Sequence, residues 1–447
     1  MMQDSPAAET AAPTALTADE EAYRARLMRP AYRSTVLALV VAGFALNFLD
    51  RQILSILMQP IKEDLGLSDT ALGFLSGLAF AIFYATVGIP VSRLADRRSR
   101  RGVMGVSMAL WSAATALCGL AQNFTQLFLA RVTVGIGEAG FTPSGLTMMS
   151  DYFPKHQRST ALGIVNTGPM FGTMLGFLIG GWAAVEYGWR AAFFIAGVPG
   201  ILFALVFWLV VREPWRGMAD RARAVAPPQP PMLATAAIFW RSRSYRYLLV
   251  GAALSAFGLY GVSIWMPSFL ARSHGLSPKE IGSVLGPLIG VVGAAGMVTG
   301  GFLTDKLSVR DERWAFWMPA IASVFCVPLY AASLLVSGDG LAMVIYSAGY
   351  FTSVLWVAPT FSVVQALMPP TTRVTAIAWK LLVTNLVGLG LGPQAVGILS
   401  DVLAAGYGVD SLRYAMLLSS LCLIGPAIFY TLAARTLKAE LRANEAY

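Results

Sequence analysis

Apolar segments long enough to cross ~30 Å of hydrocarbon as helices recur along this chain from residue 34 onward, separated by short polar loops. The spacing predicts twelve such helices, near 34–58, 70–94, 102–121, 124–149, 158–184, 191–211, 246–270, 279–304, 314–335, 341–367, 374–401 and 412–434. Composition agrees: 56% of the 447 residues are hydrophobic and 13% charged, against ~45–50% and ~25% in soluble proteins. An all-α membrane protein follows, and a disordered or ordinary cytosolic chain is excluded. Cys118, Cys326 and Cys422 all lie in apolar runs, where they read as small core residues and not as a disulfide framework or zinc site.

The net charge of +9 would suggest a nucleic-acid partner in a soluble chain. Here it sorts by topology. With a cytoplasmic N-terminus, 25 of the 33 basic residues fall in inner segments, and only Lys62, Arg190, Arg272, Lys279 and Arg413 fall outside. Both termini are therefore expected on the cytoplasmic side, and no nucleic-acid partner is expected. Residues 1–33 read as a mobile tail and not as a signal peptide. The longest inner connection, 212–245, is basic and carries Pro227, Pro228, Pro230 and Pro231. It divides the chain into six-helix bundles over 34–211 and 246–434, with a C-terminal tail over 435–447. The halves echo each other: Gly66-Leu67-Ser68, Gly73, Gly77 and Asp96 recur at one offset of 209 as Gly275-Leu276-Ser277, Gly282, Gly286 and Asp305. Two pseudo-symmetric bundles from a duplicated unit are expected.

Motifs for soluble chemistry fail on context. Gly135-Ile-Gly137-Glu-Ala-Gly140 matches the dinucleotide pattern, but it sits inside an apolar span with no strand before it. Close helix packing explains it better. No lysine follows a glycine, which removes a phosphate-binding Walker loop, and neither H-E-x-x-H nor G-x-S-x-G occurs. No enzyme activity and no cofactor are expected. His156 and His274 lie in loops and read as solvated.

Five ionisable residues fall within the spans: Asp50, Arg51, Arg131, Glu138 and Lys380. Each costs at least ~2.5–3.5 kcal/mol to insert at depth, so each should face a cavity or a partner. By rise per residue, Asp50 and Arg131 reach similar depth toward the outer side, with Glu138 about 10 Å nearer the cytoplasm on the face of Arg131. Arg131 is then positioned to exchange between Asp50 and Glu138. A carboxylate's proton affinity rises on desolvation and falls beside an arginine, so that exchange would move a proton. The competing reading is a permanent buried salt bridge fixing the first and fourth spans. Arg51 points about 100° away from Asp50, which leaves it as an anionic-headgroup ligand or as a second member of the ion pair. Lys380 would bind a phosphate or snorkel to the interface. The second half otherwise offers Tyr260, Trp265, Tyr346, Tyr350, Trp356 and Trp379. A cavity with one polar and one apolar wall suits an amphiphile, although coupling charges gathered in one half give the same asymmetry.

The loop Ser92-Arg-Leu-Ala-Asp96-Arg97-Arg98-Ser99-Arg100-Arg101 and its counterpart Gly301-Phe-Leu-Thr-Asp305-Lys306-Leu-Ser308-Val-Arg310 resemble the G-x-L-A-D-R-x-G-R-K signature of the major facilitator superfamily. Ser92, Ser99 and Ser308 depart from its glycines. The resemblance implies a cytoplasmic gate formed by Asp96, Arg97, Arg100, Arg101, Asp305 and Lys306, while topology-setting arginines remain the alternative. Gly163, Gly168-Pro169, Gly172 and Gly176 are similar to the glycine-proline signature of antiporters, with a kinked packing face as the other reading. Phe48-Leu49-Asp50-Arg51 together with Arg131-Val-Thr-Val-Gly135-Ile-Gly137-Glu138-Ala139 resembles the Spinster branch of that superfamily. This implies a proton-coupled, alternating-access transporter of lysophospholipid or sphingolipid-like amphiphiles. Asp50, Glu138 and Arg131 would couple protons, and Arg51, Arg131, Lys380, Tyr260, Trp265, Tyr346 and Tyr350 would bind substrate. The alternative is a proton-coupled antiporter of drugs or organic anions. The expected partners are protons, the amphiphile and membrane lipids. A multi-pass monomer in the plasma (inner) membrane is expected.

Overall fold

The computed structural model describes residues 17–220, 239–369 and 372–445, and among them every long element is a helix. The first span is Pro30–Leu65, the second runs through Asp69–Gly73, Phe74–Leu78 and Ala79–Arg97, and the third is Arg100–Cys118. The fourth is built of Phe124–Glu138 and Phe141–Tyr152. Lys155–Val165 and Gly168–Val210 hold the fifth and sixth, which part at Gly188, where a φ of 83° breaks the helix. The seventh is Arg243–His274, and the eighth joins Pro278–Pro287, Leu288–Val292 and Gly293–Ser308. Trp314–Leu335 is the ninth, and Asp339–Val354 with Val357–Leu367 the tenth. The eleventh joins Arg373–Val383, Thr384–Leu391 and Gly392–Tyr407, and the twelfth Ser411–Leu421 and Ile424–Glu445.

The duplication read from the sequence has a structural counterpart. Gly66 and Gly275 each end a helix in the left-handed region, at φ 62° and 67°, which glycine adopts without steric cost. Two residues on, Ser68 and Ser277 each cap the next helix, accepting from the backbone N–H of Ala71 and Glu280. Ser55 Oγ donates to the carbonyl of Ile264 at 2.7 Å, so positions related by the offset of 209 touch across the pseudo-twofold axis.

Glycine packing explains two of the motifs. On the fifth span a Cβ at Gly168, Gly172 or Gly176 would strike the carbonyl of Val41, Ala45 or Leu49 on the first span. That stripe is a close helix-helix seam. Gly135 packs on Phe80 of the second span, and Gly137 on the backbone of Trp111 of the third. The dinucleotide-like run is therefore a packing face.

Several sequence boundaries shift. The expected tail over 1–33 contains a helix, Ala18–Leu27, started by a Thr17–Glu20 capping box. Tyr23 donates from its hydroxyl to the carbonyl of Glu213, and Leu27 is buried, so local capping and one apolar contact dock the segment. The expected tail over 435–447 continues the last helix to Glu445, with Leu437 buried, Lys438 paired to Asp311 at 3.0 Å and Glu440 accepting from Ser242. Most of the 212–245 linker lies outside the described residues. His274, expected to be solvated, is 2% exposed and meets Asp339 at 2.6 Å.

The halves are locked together at the outer end. Asp69, the first residue of the second span, accepts from Arg272 Nη1 and Nη2 at 2.6 and 2.7 Å, from Lys62 at 2.6 Å and from Ser400 at 2.6 Å. Asp401 in turn accepts from the backbone N–H groups of Asp69 and Thr70, capping that helix across the interface. Lys279 of the eighth span pairs with Glu186 at the end of the fifth. The five cations assigned to the outer face, Lys62, Arg190, Arg272, Lys279 and Arg413, all hold a carboxylate. The outer mouth is closed.

Candidate functional site

The first span presents Asn47, Asp50 and Arg51, and the fourth presents Arg131 and Glu138. Rotation of 100° per residue puts Asn47 and Asp50 on one face and Arg51 at its edge. Asn47, Asp50, Arg131 and Glu138 are all buried. Against them the third span turns Trp111, Thr115 and Cys118, spaced four and three apart and hence on one face. The stripe is buried, so the charged cluster lies inside the first bundle, among the first, third and fourth spans.

Arg51 pairs with Glu138: Nη2 and Nε donate to Oε2 at 2.5 and 3.2 Å. The Glu138 side chain is 0% exposed and that of Arg51 14%, so the arginine is the member that reaches the space between the halves. Its guanidinium carbon lies 4.7 Å from the ring centres of Phe48 and Phe80 and 5.3 Å from that of Tyr84, an aromatic box that favours a desolvated cation. Arg131 stands 5.6 Å from the Phe80 ring centre. Its Nε and Nη1, with Asp50 Oδ1 and Glu138 Oε1, have no hydrogen-bond partner among the described residues. The expected shuttle thus stands differently in this conformation. Glu138 is held by Arg51, and Arg131 lies near both acids without a hydrogen bond at those two nitrogens. Arg51 does not point to a separate surface, because its long side chain spans the angular offset and reaches the fourth span.

From Arg51 a row of phenols leads into the second half. Tyr260 neighbours Arg51 and Tyr84 across the interface, and Tyr350 neighbours Tyr260. Tyr346 lies 6.0 Å from Tyr350 and 5.8 Å from Tyr330. Tyr346 is 0% exposed, its hydroxyl without a partner, whereas Tyr330 donates to Ser353 at 2.9 Å. Sequence reasoning missed Tyr330, which looks like any core aromatic within its apolar span. Trp265 departs from expectation. It is fully buried and donates to the carbonyl of Pro393 at 2.9 Å, which makes it part of the outer closure and not a substrate wall. Lys380 does not snorkel. It is 1% exposed, with Nζ 3.4 Å from the Phe361 ring centre and 5.6 Å from that of Trp356, and without a hydrogen-bond partner among the described residues.

The expected cytoplasmic gate is divided. The side chains of Asp96 and Arg97 lie outside the described residues. Arg100 is buried within the first bundle, donating to Asp151, to Glu213 at 3.0 Å and to the carbonyl of Pro214 at 2.8 Å. Arg101 donates to the carbonyl of Trp208, and its backbone N–H to Glu213 at 2.7 Å. Asp305 and Lys306 are exposed. Arg100 and Arg101 therefore bind their own half here.

Two pseudo-symmetric six-helix bundles, closed outside and enclosing charges at depth, define a membrane transporter and not an enzyme. The chain belongs to the Major Facilitator Superfamily, whose family pattern matches residues 40–393. It is 34% identical over 406 residues to an MFS-type efflux pump of Mycolicibacterium smegmatis, covering 90% of this chain and 92% of that one. It is 24% identical over 433 residues to the sphingosine-1-phosphate transporter SPNS2 of Danio rerio, covering 91% and 85%. Among solved structures it is similar to a bacterial homolog of the human lysosomal transporter Spinster, inward-facing and unoccupied. The TM-score is 0.84 at 30% identity, over 92% of this chain and 99% of that one.

Proposed function

We propose that this chain is a proton-coupled transporter that moves a lysophospholipid or sphingolipid-like amphiphile by alternating access, from a cytoplasmic (inner) membrane. The observation that carries the reading is the Arg51–Glu138 pair at the boundary between the halves, with Asp50 and Arg131 buried beside it. Arg51 is shared between two anions. An anionic headgroup arriving in the cavity competes with Glu138 for the guanidinium, whose fork suits carboxylate and phosphate alike. When the headgroup takes Arg51, the fully buried Glu138 loses its countercharge and binds a proton, because a buried carboxylate without a partner is costly. Proton and substrate are thereby linked through one side chain. Tyr84, Tyr260 and Tyr350 line the path of the amphiphile, Tyr346 offers a free hydroxyl, and Lys380 supplies a second cation in the second half.

The outer closure by Asp69 and Arg272 is the inward-facing state of this cycle. When the inner side closes, Asp305 and Lys306 meet the corner built by Arg100 and Arg101, with Asp96 and Arg97 completing the gate. The second reading, a proton antiporter of drugs or organic anions, is favoured by the likeness to the efflux pump. Both share the coupling residues and differ in cargo. Proteoliposomes under an imposed pH gradient separate them when a labelled lysophospholipid, a cationic dye and an organic acid are compared. Gradient-driven movement of the lysolipid is expected. Movement of dye or acid with none of the lysolipid would transfer the assignment to the antiporter.

A further inference from the structure

The first bundle buries more hydrogen-bonding capacity than the Arg51–Glu138 exchange uses. Asn47 is fully buried, and neither its amide oxygen nor its nitrogen has a hydrogen-bond partner among the described residues. Trp111 Nε1, Thr115 Oγ1, Asp50 Oδ1, Glu138 Oε1 and two nitrogens of Arg131 are in the same condition. These groups are not scattered. Asn47 lies beside Glu138, while Trp111 and Thr115 lie beside Asp50. The spans run so that Glu138 and Asn47 form an inner tier, and Asp50, Thr115 and Arg131 an outer one. Trp111 lies about 6 Å inward of Thr115 by helical rise, which sets it between the tiers.

Native interiors satisfy buried donors and acceptors almost without exception, with protein groups or with ordered water. Each group left bare costs about 1–3 kcal/mol, and eight such atoms facing one another are too many to leave dry. We infer that Asn47, Trp111 and Thr115 hold a chain of ordered water that joins Glu138 to Asp50. In the transfer, the carboxylic acid proton of Glu138 leaves to the adjoining water, each water passes one proton on, and the Asp50 carboxylate takes the last. Nothing else is consumed. Asn47, Trp111 and Thr115 are positioning residues that orient water without taking the proton themselves. This rests on the proposed function, in that Glu138 and Asp50 are its termini. The ionisable groups facing them are Arg51, Arg131, Cys118, Tyr84 and, across the interface, Tyr260.

The test is made on purified full-length protein and needs no substrate. Infrared difference spectra across a pH titration resolve the protonated carboxyl bands, which Asp50→Asn and Glu138→Gln assign. Transfer into deuterated buffer then gives the exchange rate of each band. In the wild type both bands are expected to exchange together. Thr115→Val and Asn47→Leu, which keep shape and remove the polar atoms, are expected to slow exchange at Asp50 by about tenfold or more while Glu138 keeps its rate. Thr115→Ser, which restores the hydroxyl, is expected to recover it. Unchanged exchange at Asp50 in both apolar variants would overturn the relay, as would the lack of a protonated Asp50 band at any pH. Transport by wild-type proteoliposomes is scored separately, so loss of the transport reading and loss of the relay are told apart.

Discussion

Asp50 and Glu138 are both buried carboxylates in one bundle, yet only Glu138 is held by an ion pair in this conformation. The difference gives them distinct parts: Glu138 answers to the substrate through Arg51, and Asp50 stores the proton further out. Glu138→Gln and Asp50→Asn are therefore expected to abolish accumulation driven by a pH gradient, while substrate exchange at equal pH persists, because exchange requires no net proton movement. The check is to compare net uptake with counterflow in the same vesicles, and equal loss of both would speak for structural damage. That these residues matter was legible in the sequence, because a charge within an apolar run has few explanations. Their pairing was not. Helical periodicity fixes which residues share a face of one helix, but not how the first and fourth spans are rotated toward each other, and the reach of an arginine side chain exceeds the offset it was assigned. Asn47, Trp111 and Thr115 carry no charge, so nothing in the sequence separated them from ordinary core residues.

At the scale of the helices, the glycine stripe of the fifth span and its seam with the first decide how Asp50 and Arg51 are placed. Gly172 faces the Ala45 carbonyl so closely that any Cβ collides with backbone, whereas a Cβ at Gly163 meets nothing within 4 Å. Gly172→Ala is expected to lower stability by about 1–3 kcal/mol, the usual range for overpacking. Gly163→Ala should leave stability unchanged or slightly raised, since it only removes helix-opposing backbone freedom. Thermal unfolding in detergent measures both, and equal effects would show that the seam yields. Both glycines belong to the run similar to the antiporter signature, so the sequence located the feature, but only the packing separates its members. The ends of the elements were harder to read. The docking of Ala18–Leu27 and the extension of the last helix to Glu445 depend on a cap and on contacts with Glu213, Asp311 and Ser242, which are distant in sequence.

At the scale of the whole molecule, the architecture was legible almost throughout. Twelve apolar runs, an arginine bias to one face and a repeat at a single offset already specify two six-helix bundles and their orientation. The conformation was not legible, because it depends on pairs such as Asp69 with Arg272 that lie 203 residues apart. Those pairs close the outer side and leave Arg51 as the charged group at the boundary between the halves, where a headgroup would arrive. The account stands on the claim that this headgroup displaces Glu138 and so obliges it to take a proton. Proton uptake on binding tests that claim most directly: detergent-solubilised protein in weakly buffered solution with a pH dye is titrated with lysophospholipid. The expected result is alkalinisation by about one proton per bound lipid in the wild type and none in Glu138→Gln. Saturable lipid binding with no proton movement in the wild type would contradict it.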